Sequence, residues 1–176
     1  MRIREIQEEF PWTVTQSRER SPGLHLTGVI KAMESILSEG GAISDDTRMQ
    51  FEKGWLWEEA LSQAFGQKAA VRVGEVWLDG IAGSPDGVVY GEDGKPTAIE
   101  EYKCTAKSPN TTPADVWRWI MQVKGYCKMV GVRRCVFRVL HLSFVPVYHV
   151  WELTFSQREL DENWAAIVAQ AETMKG

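Results

Sequence analysis

Between Leu24 and Glu39 the apolar residues Leu26, Val29, Ile30, Met33 and Leu37 recur at helical spacing, which predicts an amphipathic helix ended by Gly40-Gly41. A second helix is predicted from about Ser44 to Phe65, opened by Ser44-Asp45-Asp46 and closed near Gly66. The pattern then changes to alternation. Val71 to Leu78 reads as a strand, and Val88–Tyr90 and Ala98–Tyr102 read as two more around the turn from Gly91 to Pro96. Helical spacing returns from Asp115 to Val130, after the breakers Pro109-Asn110 and Pro113. Cys135–Phe144 and Val147–Phe155 read as strands divided at Pro146, and Ser156 caps a last amphipathic helix to about Met174. The order α-α-β-β-β-α-β-β-α suits an α/β or α+β domain with one central mixed β-sheet flanked by helices. No repeat or linker divides the chain. Residues 1–176 therefore read as a single domain, with a core over about 20–155 and a C-terminal helix over 156–174.

Composition narrows this picture. At 176 residues and 44% hydrophobic content the chain can bury a core without disulfide staples. No apolar run approaches the ~18–20 residues of a membrane span. The charged start, Met1-Arg2-Ile3-Arg4-Glu5, lacks the apolar segment of a secretory signal. Cys104, Cys127 and Cys135 are odd in number and without C-x-x-C spacing, which argues against a disulfide framework and a four-Cys zinc site. A reducing compartment is expected. The net charge of −4 disfavours a purely electrostatic coat for nucleic acid, but the charge is uneven. Lys103, Lys107, Arg118, Lys124, Lys128, Arg133, Arg134 and Arg138 meet a single acid, Asp115, between Lys103 and His149, giving that stretch +7 and the remainder −11. By itself such a run is a solvated helix face and a loop. Beside suitable chemistry it is a phosphate-facing surface.

That chemistry lies in Ser84-Pro85-Asp86-Gly87 and Glu100-Glu101-Tyr102-Lys103. Asp93-Gly94 is a strong two-residue hairpin signal. With those two at the centre of the turn, Val88 faces Ile99 and Asp86 faces Glu101. Strand alternation puts Glu101 and Lys103 on one face, and Glu100 and Tyr102 on the other. Opposed like charges destabilise a sheet, so a compensating partner is expected. A hard divalent cation fits, since Mg²⁺ takes oxygen ligands and keeps several waters. Such a site can hydrolyse a phosphodiester, with Lys103 positioning the attacking water and offsetting charge in the transition state. A lone E-x-K would be read as a surface ion pair; the Pro85-Asp86 pair upstream favours the functional reading.

Pro85-Asp86 followed by Glu101-Tyr102-Lys103 resembles the signature of the PD-(D/E)XK nuclease superfamily. Gly54-Trp55-Leu56-Trp57-Glu58 resembles the G-x-x-x-E helix motif of its RecB-like and phage lambda-type (YqaJ-like) exonucleases. Gln122-Val123-Lys124-Gly125-Tyr126 resembles their Q-x-x-x-Y motif, and Ser21-Pro22 resembles an N-terminal serine element of many phage members. The resemblance covers roughly residues 20–150. It implies a restriction-endonuclease-like core and a Mg²⁺- or Mn²⁺-dependent deoxyribonuclease. Asp86, Glu101 and the Tyr102 carbonyl would bind metal, with support from Glu58. Lys103 would position water, and Gln122 and Tyr126 would orient the scissile phosphate or a metal-bound water. Gly54 would let its helix approach the sheet closely. Arg118, one turn before Gln122, reads as a phosphate contact, and Lys107 and Lys124 as further DNA-binding residues. An exonuclease on linear DNA in phage-type recombination or repair is the first expectation, with a structure-specific endonuclease or a non-catalytic DNA-binding module as alternatives. The same resemblance raises a ring-forming homo-oligomer, a single-strand annealing partner, and the cytoplasm of a bacterium or phage-infected cell. Three cysteines do not suffice for the four-cysteine iron–sulfur cluster of the CRISPR-associated members, and no Walker A motif is present, so neither a cluster nor ATP is expected. Trp55, Trp57, Trp117 and Trp119 read mainly as core residues, with base stacking the other option. His25, His141 and His149 show no ligand spacing and read as structural, although His25 follows the Ser-Pro element.

Overall fold

The computed structural model describes residues 1–7, 21–35, 54, 56–57, 59–61, 63 and 70–175. In chain order its strands are β1 (Arg2–Ile6), β2 (Leu24–His25), β3 (Ala70–Val71), β4 (Val76–Leu78), β5 (Ile81–Gly83), β6 (Gly87–Tyr90), β7 (Pro96–Thr105), β8 (Arg134–His141) and β9 (Val147–Thr154). Its helices are α1 (Leu26–Ser35), α2 (Trp117–Val130) and α3 (Gln157–Thr173). Six strands form the central mixed sheet in the order β1-β9-β8-β7-β6-β3, with β7 and β8 parallel and the other neighbours antiparallel. A small second sheet has the order β2-β5-β4. Among the described residues no helix is long and apolar enough to cross a membrane.

Alternation along the strands explains the layers. Ile99 of β7, Cys135, Phe137 and Val139 of β8, and Trp151 and Leu153 of β9 pack on one side. They meet Leu26, Val29 and Ile30 of α1, Val123, Tyr126 and Cys127 of α2, and Leu160, Trp164 and Ile167 of α3. The opposite face carries Tyr102, which packs with Trp57 and Leu61. Gly54, Leu56, Trp57, Glu59–Leu61 and Gln63 are helical, in keeping with the second predicted helix; the rest of that prediction, including Ser44 to Asp46, lies outside the described residues. The start of α3 follows the expected cap. Ser156 Oγ accepts from the Glu159 N–H (3.2 Å), and Glu159 Oε2 accepts from the Ser156 N–H (3.0 Å).

Several expectations need correction. The single strand Val71–Leu78 is two strands in two sheets, because Gly74 adopts a left-handed φ of 77° and turns the chain between β3 and β4. The first helix starts at Leu26 rather than Leu24, since Leu24 and His25 pair with β5. The strand predicted to reach Phe144 ends at His141. Arg2–Ile6, too polar to read as a strand, is the sheet edge and pairs with β9. The tip of the β6–β7 turn, inside the hydrogen bond that joins Gly91 and Lys95, has three residues, Glu92 to Gly94, rather than two. The Gly94 N–H donates to Gly91 O (3.0 Å), the Gly91 N–H donates to Lys95 O (2.8 Å), and Gly94 is left-handed. An irregularity between Val89 and Tyr90, with Thr97 as the extra residue, absorbs the difference. Val88 therefore still pairs with Ile99, and Gly87 with Glu100.

Candidate active site

β7 lies between β6 and β8, and its two faces are covered by the helical core on one side and by Trp57 and Leu61 on the other. It nevertheless places two adjacent carboxylates there, Glu100 at 2% and Glu101 at 1% exposure. Each needs a partner on its own face. Glu100 has a complete set: Arg138 Nη2 donates to its Oε1 at 2.9 Å, and the Tyr102 hydroxyl donates to its Oε2. Burial, then Glu100, pushes the Tyr102 hydroxyl well above the ordinary phenol range, so it stays a neutral donor.

Glu101 is different. Lys103 Nζ donates to its Oε1, while its buried Oε2 has no hydrogen-bond partner among the described residues. The pleat thus puts Glu101 and Lys103 together, as alternation predicts. Asp86 completes the group. It stands immediately before β6, and its Oδ2 accepts the Tyr102 N–H at 2.7 Å, so its carboxylate bonds the backbone beside Glu101. Burial pushes the Glu101 carboxyl up to about 8; Lys103 opposes this, and the nearby Asp86 adds to it. Two tight backbone approaches hold this corner. A Cβ on Gly87 would stand 2.9 Å from Ala70 Cβ, and one on Gly83 would stand 2.9 Å from Tyr126 Cε1. Gly83 thereby lets β5 lie against α2 just before the chain reaches Asp86. Gly54 has no atom of the described residues within 4 Å of where its Cβ would be, so the close approach of its helix expected there is not made at this glycine; Gly83 and Gly87 make tight contacts elsewhere.

The helix α2 brings Gln122 and Tyr126 to the same corner. Gln122 Nε2 donates to the Tyr126 hydroxyl (3.2 Å), as their spacing on one face allows. Tyr126 is buried, and its hydroxyl is raised above the ordinary range first by burial and then by Glu101, with Asp86 contributing. The other predicted contacts are dispersed. Arg118 forms a two-point pair with Glu34 of α1, at 2.8 and 3.0 Å. Lys124 points toward α3, 3.7 Å from Glu159 and over the Phe155 ring. Lys107 is exposed beyond the end of β7. Glu58 lies outside the described residues, as does Trp55.

The basic stretch is not one phosphate-facing surface. Arg138 is buried against Glu100, Lys128 pairs with Asp161, and Arg134 pairs with Glu152, because a helix and a strand point successive residues in different directions. Trp57 is a core residue and Trp119 packs against Phe137, while Trp117 remains part-exposed. Glu75, which nothing in the sequence singled out, gathers the Ser-Pro element: it accepts from the Ser21 hydroxyl and the Ser21 N–H, and lies 3.7 Å from His25 Nδ1. The partnership of Glu100 with Arg138 was equally hidden, since it joins residues 38 apart in the chain.

The donor set suits a hard cation. It consists of the Asp86 and Glu101 carboxylates, the latter with its buried Oε2 unbonded, and contains no thiolate or imidazole. Among the described residues no group of three or more His, Cys, Asp or Glu is placed to hold a metal; two carboxylates are enough for Mg²⁺, which retains waters.

No protein-family model matches the chain, and no curated protein matches it. Solved structures do. The chain is similar to SSO0001 at a TM-score of 0.53 and 11% identity, over 87% of this chain and 78% of that one. It is also similar to LHK-Exo, an alkaline exonuclease from Laribacter hongkongensis, at a TM-score of 0.52 and 17% identity, over 86% of this chain and 89% of that one. At such identities the likeness is one of fold: a central mixed sheet flanked by helices is common to this chain and an alkaline exonuclease.

Proposed function

We propose that this protein is a divalent-metal-dependent deoxyribonuclease, acting as an exonuclease on linear DNA. The observation that carries the reading is the buried, singly bonded Glu101 between Lys103 and Asp86. An apolar pair would stabilise a sheet interior better than two carboxylates and a lysine, so the arrangement is one kept for chemistry. The shared fold with an alkaline exonuclease supports the class.

Asp86, Glu101 and the Tyr102 carbonyl would hold Mg²⁺ or Mn²⁺, with Glu58 as a further ligand. Such an ion supplies positive charge to a phosphoryl oxygen and makes a water easier to deprotonate. Lys103 orients the attacking water and offsets charge as it builds on the phosphate. Tyr126, kept neutral by burial, donates to a phosphate oxygen, and Gln122 fixes the direction of that hydroxyl. Asp86 has a second duty: by accepting the Tyr102 N–H it holds β7 and the start of β6 together.

The test is a cleavage assay on end-labelled linear duplex with a covalently closed circle beside it, in Mg²⁺ or Mn²⁺ and then in excess EDTA. Metal-dependent loss of the linear DNA with survival of the circle is expected. Cutting of the circle would make the enzyme an endonuclease. DNA retention without cleavage would make it a binding module.

A further inference from the structure

β7 and β8 run parallel, so the chain leaves both at the same end of the sheet, beyond Lys103 and Val139. The loop after β7 carries Lys107, and the hairpin after β8 is Leu142-Ser143-Phe144-Val145-Pro146. The two are tied together. The Leu142 N–H donates to Thr105 O (2.7 Å), and the buried His141 places Nδ1 3.1 Å from Lys107 O. The Ser143 hydroxyl closes the tip onto Val145 O. On this pinned tip Phe144 is fully exposed and Val145 is 67% exposed. Single exposed apolar residues are ordinary. A phenylalanine held wholly in water at the apex of a braced hairpin, beside an exposed valine, is not accounted for by packing. The two loops themselves carry no carboxylate, since neither 104–114 nor 141–148 contains one, and Glu5 of β1, which lies on this side, is engaged by His149 at 2.7 Å. Lys107, exposed there, makes no ion pair among the described residues.

We propose that this end of the sheet guides an unpaired DNA strand to or from the active site, with Phe144 stacking on a base and Lys107 meeting a neighbouring phosphate. The inference rests on the nuclease reading and adds a base contact to it. A base offers a flat apolar face and its phosphate a charge, which is the chemistry a phenylalanine and a lysine on two loops without carboxylates recognise. The placement agrees. Glu101 to Thr105 spans about 13 Å at ~3.3 Å per residue. An unpaired strand, more extended than the ~3.4 Å axial rise per nucleotide of a stacked duplex, covers that distance in at most about four nucleotides. Phe144, at the tip beyond, therefore meets bases several nucleotides from the scissile phosphate.

The test uses duplexes with a single-strand overhang labelled with 2-aminopurine at successive positions. They are titrated with full-length Lys103→Ala protein, to prevent cutting, alone and combined with Phe144→Ala, Phe144→Leu or Phe144→Trp. Quenching at a few neighbouring overhang positions is expected, lost with alanine and leucine and retained with tryptophan. Overhang affinity should fall about 5- to 100-fold with alanine. Lys107→Ala should reduce the salt dependence by about one ion. Unchanged quenching and affinity in Phe144→Ala would overturn the inference, while metal-dependent cleavage by the wild-type protein would leave the nuclease reading standing. Altered sedimentation of Phe144→Ala with unchanged overhang affinity would also overturn it, and would assign the tip to contacts between copies of the chain. A wild-type protein that neither cuts nor binds DNA would remove the nuclease reading and this inference together.

Discussion

Glu100 and Glu101 are adjacent in the chain, but the pleat sends them to opposite faces and to opposite duties. Glu100 is fully partnered by Arg138 and Tyr102, so its removal leaves a buried guanidinium without its carboxylate. Glu100→Gln should destabilise the fold by about 3–5 kcal/mol, the usual cost of breaking a buried pair. Urea denaturation in EDTA would measure it. Glu101→Gln should behave otherwise. Burial pushes the Glu101 carboxyl up, which favours its neutral form without metal, and glutamine is a close neutral substitute. Metal-free stability at pH 6 should change little, while metal-dependent cleavage is lost. Loss of stability from Glu101→Gln with none from Glu100→Gln would show that the two faces have been assigned the wrong way round. Lys103→Ala should lower the cleavage rate at least about 100-fold, as expected for a group that stabilises charge in the transition state. Its circular-dichroism spectrum should stay that of the wild type; full activity in a folded Lys103→Ala protein would refute the catalytic role.

At the scale of elements, α2 and α3 depend on their ends and on their contact with the sheet. The cap of α3 is reciprocal, and it holds the Glu159 carboxyl down at about 2, mainly through the Ser156 N–H. An unfolded glutamate titrates near 4.5, so the cap's stabilisation is complete above that pH and disappears as pH falls toward 2. Wild type should therefore exceed Glu159→Gln in urea stability at pH 6, with the gap narrowing steadily below pH 4.5 as pH falls toward 2. A gap that widens in acid would contradict the cap. Ser156→Ala should cost about 0.5–2 kcal/mol at neutral pH. Gly83 governs a different contact, because its missing Cβ admits the Tyr126 ring. Gly83→Ala should push β5 from α2, shift Asp86, and reduce cleavage along with stability.

For the whole molecule, the candidate site joins residues from three separate stretches: Asp86 before β6, Glu101 and Lys103 on β7, and Gln122 and Tyr126 on α2. A cation bound there binds only the folded state, so it should stabilise the protein globally. At a hundredfold excess over Kd, Mg²⁺ or Mn²⁺ should raise Tm by about 5–10 °C for a domain of this size. Differential scanning calorimetry with and without EDTA would show it, and Asp86→Asn or Glu101→Gln should abolish the shift. An equal shift in those variants would place the metal elsewhere.

The sequence by itself determined the elements with strong periodicity or explicit ends: α2, the capped α3, β7, β8 and β9. It also determined the facing of Glu101 and Lys103, since alternation is a local property of one strand. The hairpin register read from the Asp-Gly turn holds at Val88 and Ile99 although the loop is one residue longer, because a compensating bulge restores that pairing and keeps the apolar face buried. Only the tertiary structure decided the rest. Arg2–Ile6 is a strand because β9 offers it a partner, not because its composition favours one. The basic run from Lys103 to Arg138 came apart because each side chain's direction is set by its element, and its partner by what packs opposite. The separation of Glu100 from Glu101 into a structural and a candidate catalytic carboxylate likewise depends on Arg138, which no local spacing links to either. Pairings across the chain are products of packing, and a one-dimensional pattern carries them only where a single element contains both partners.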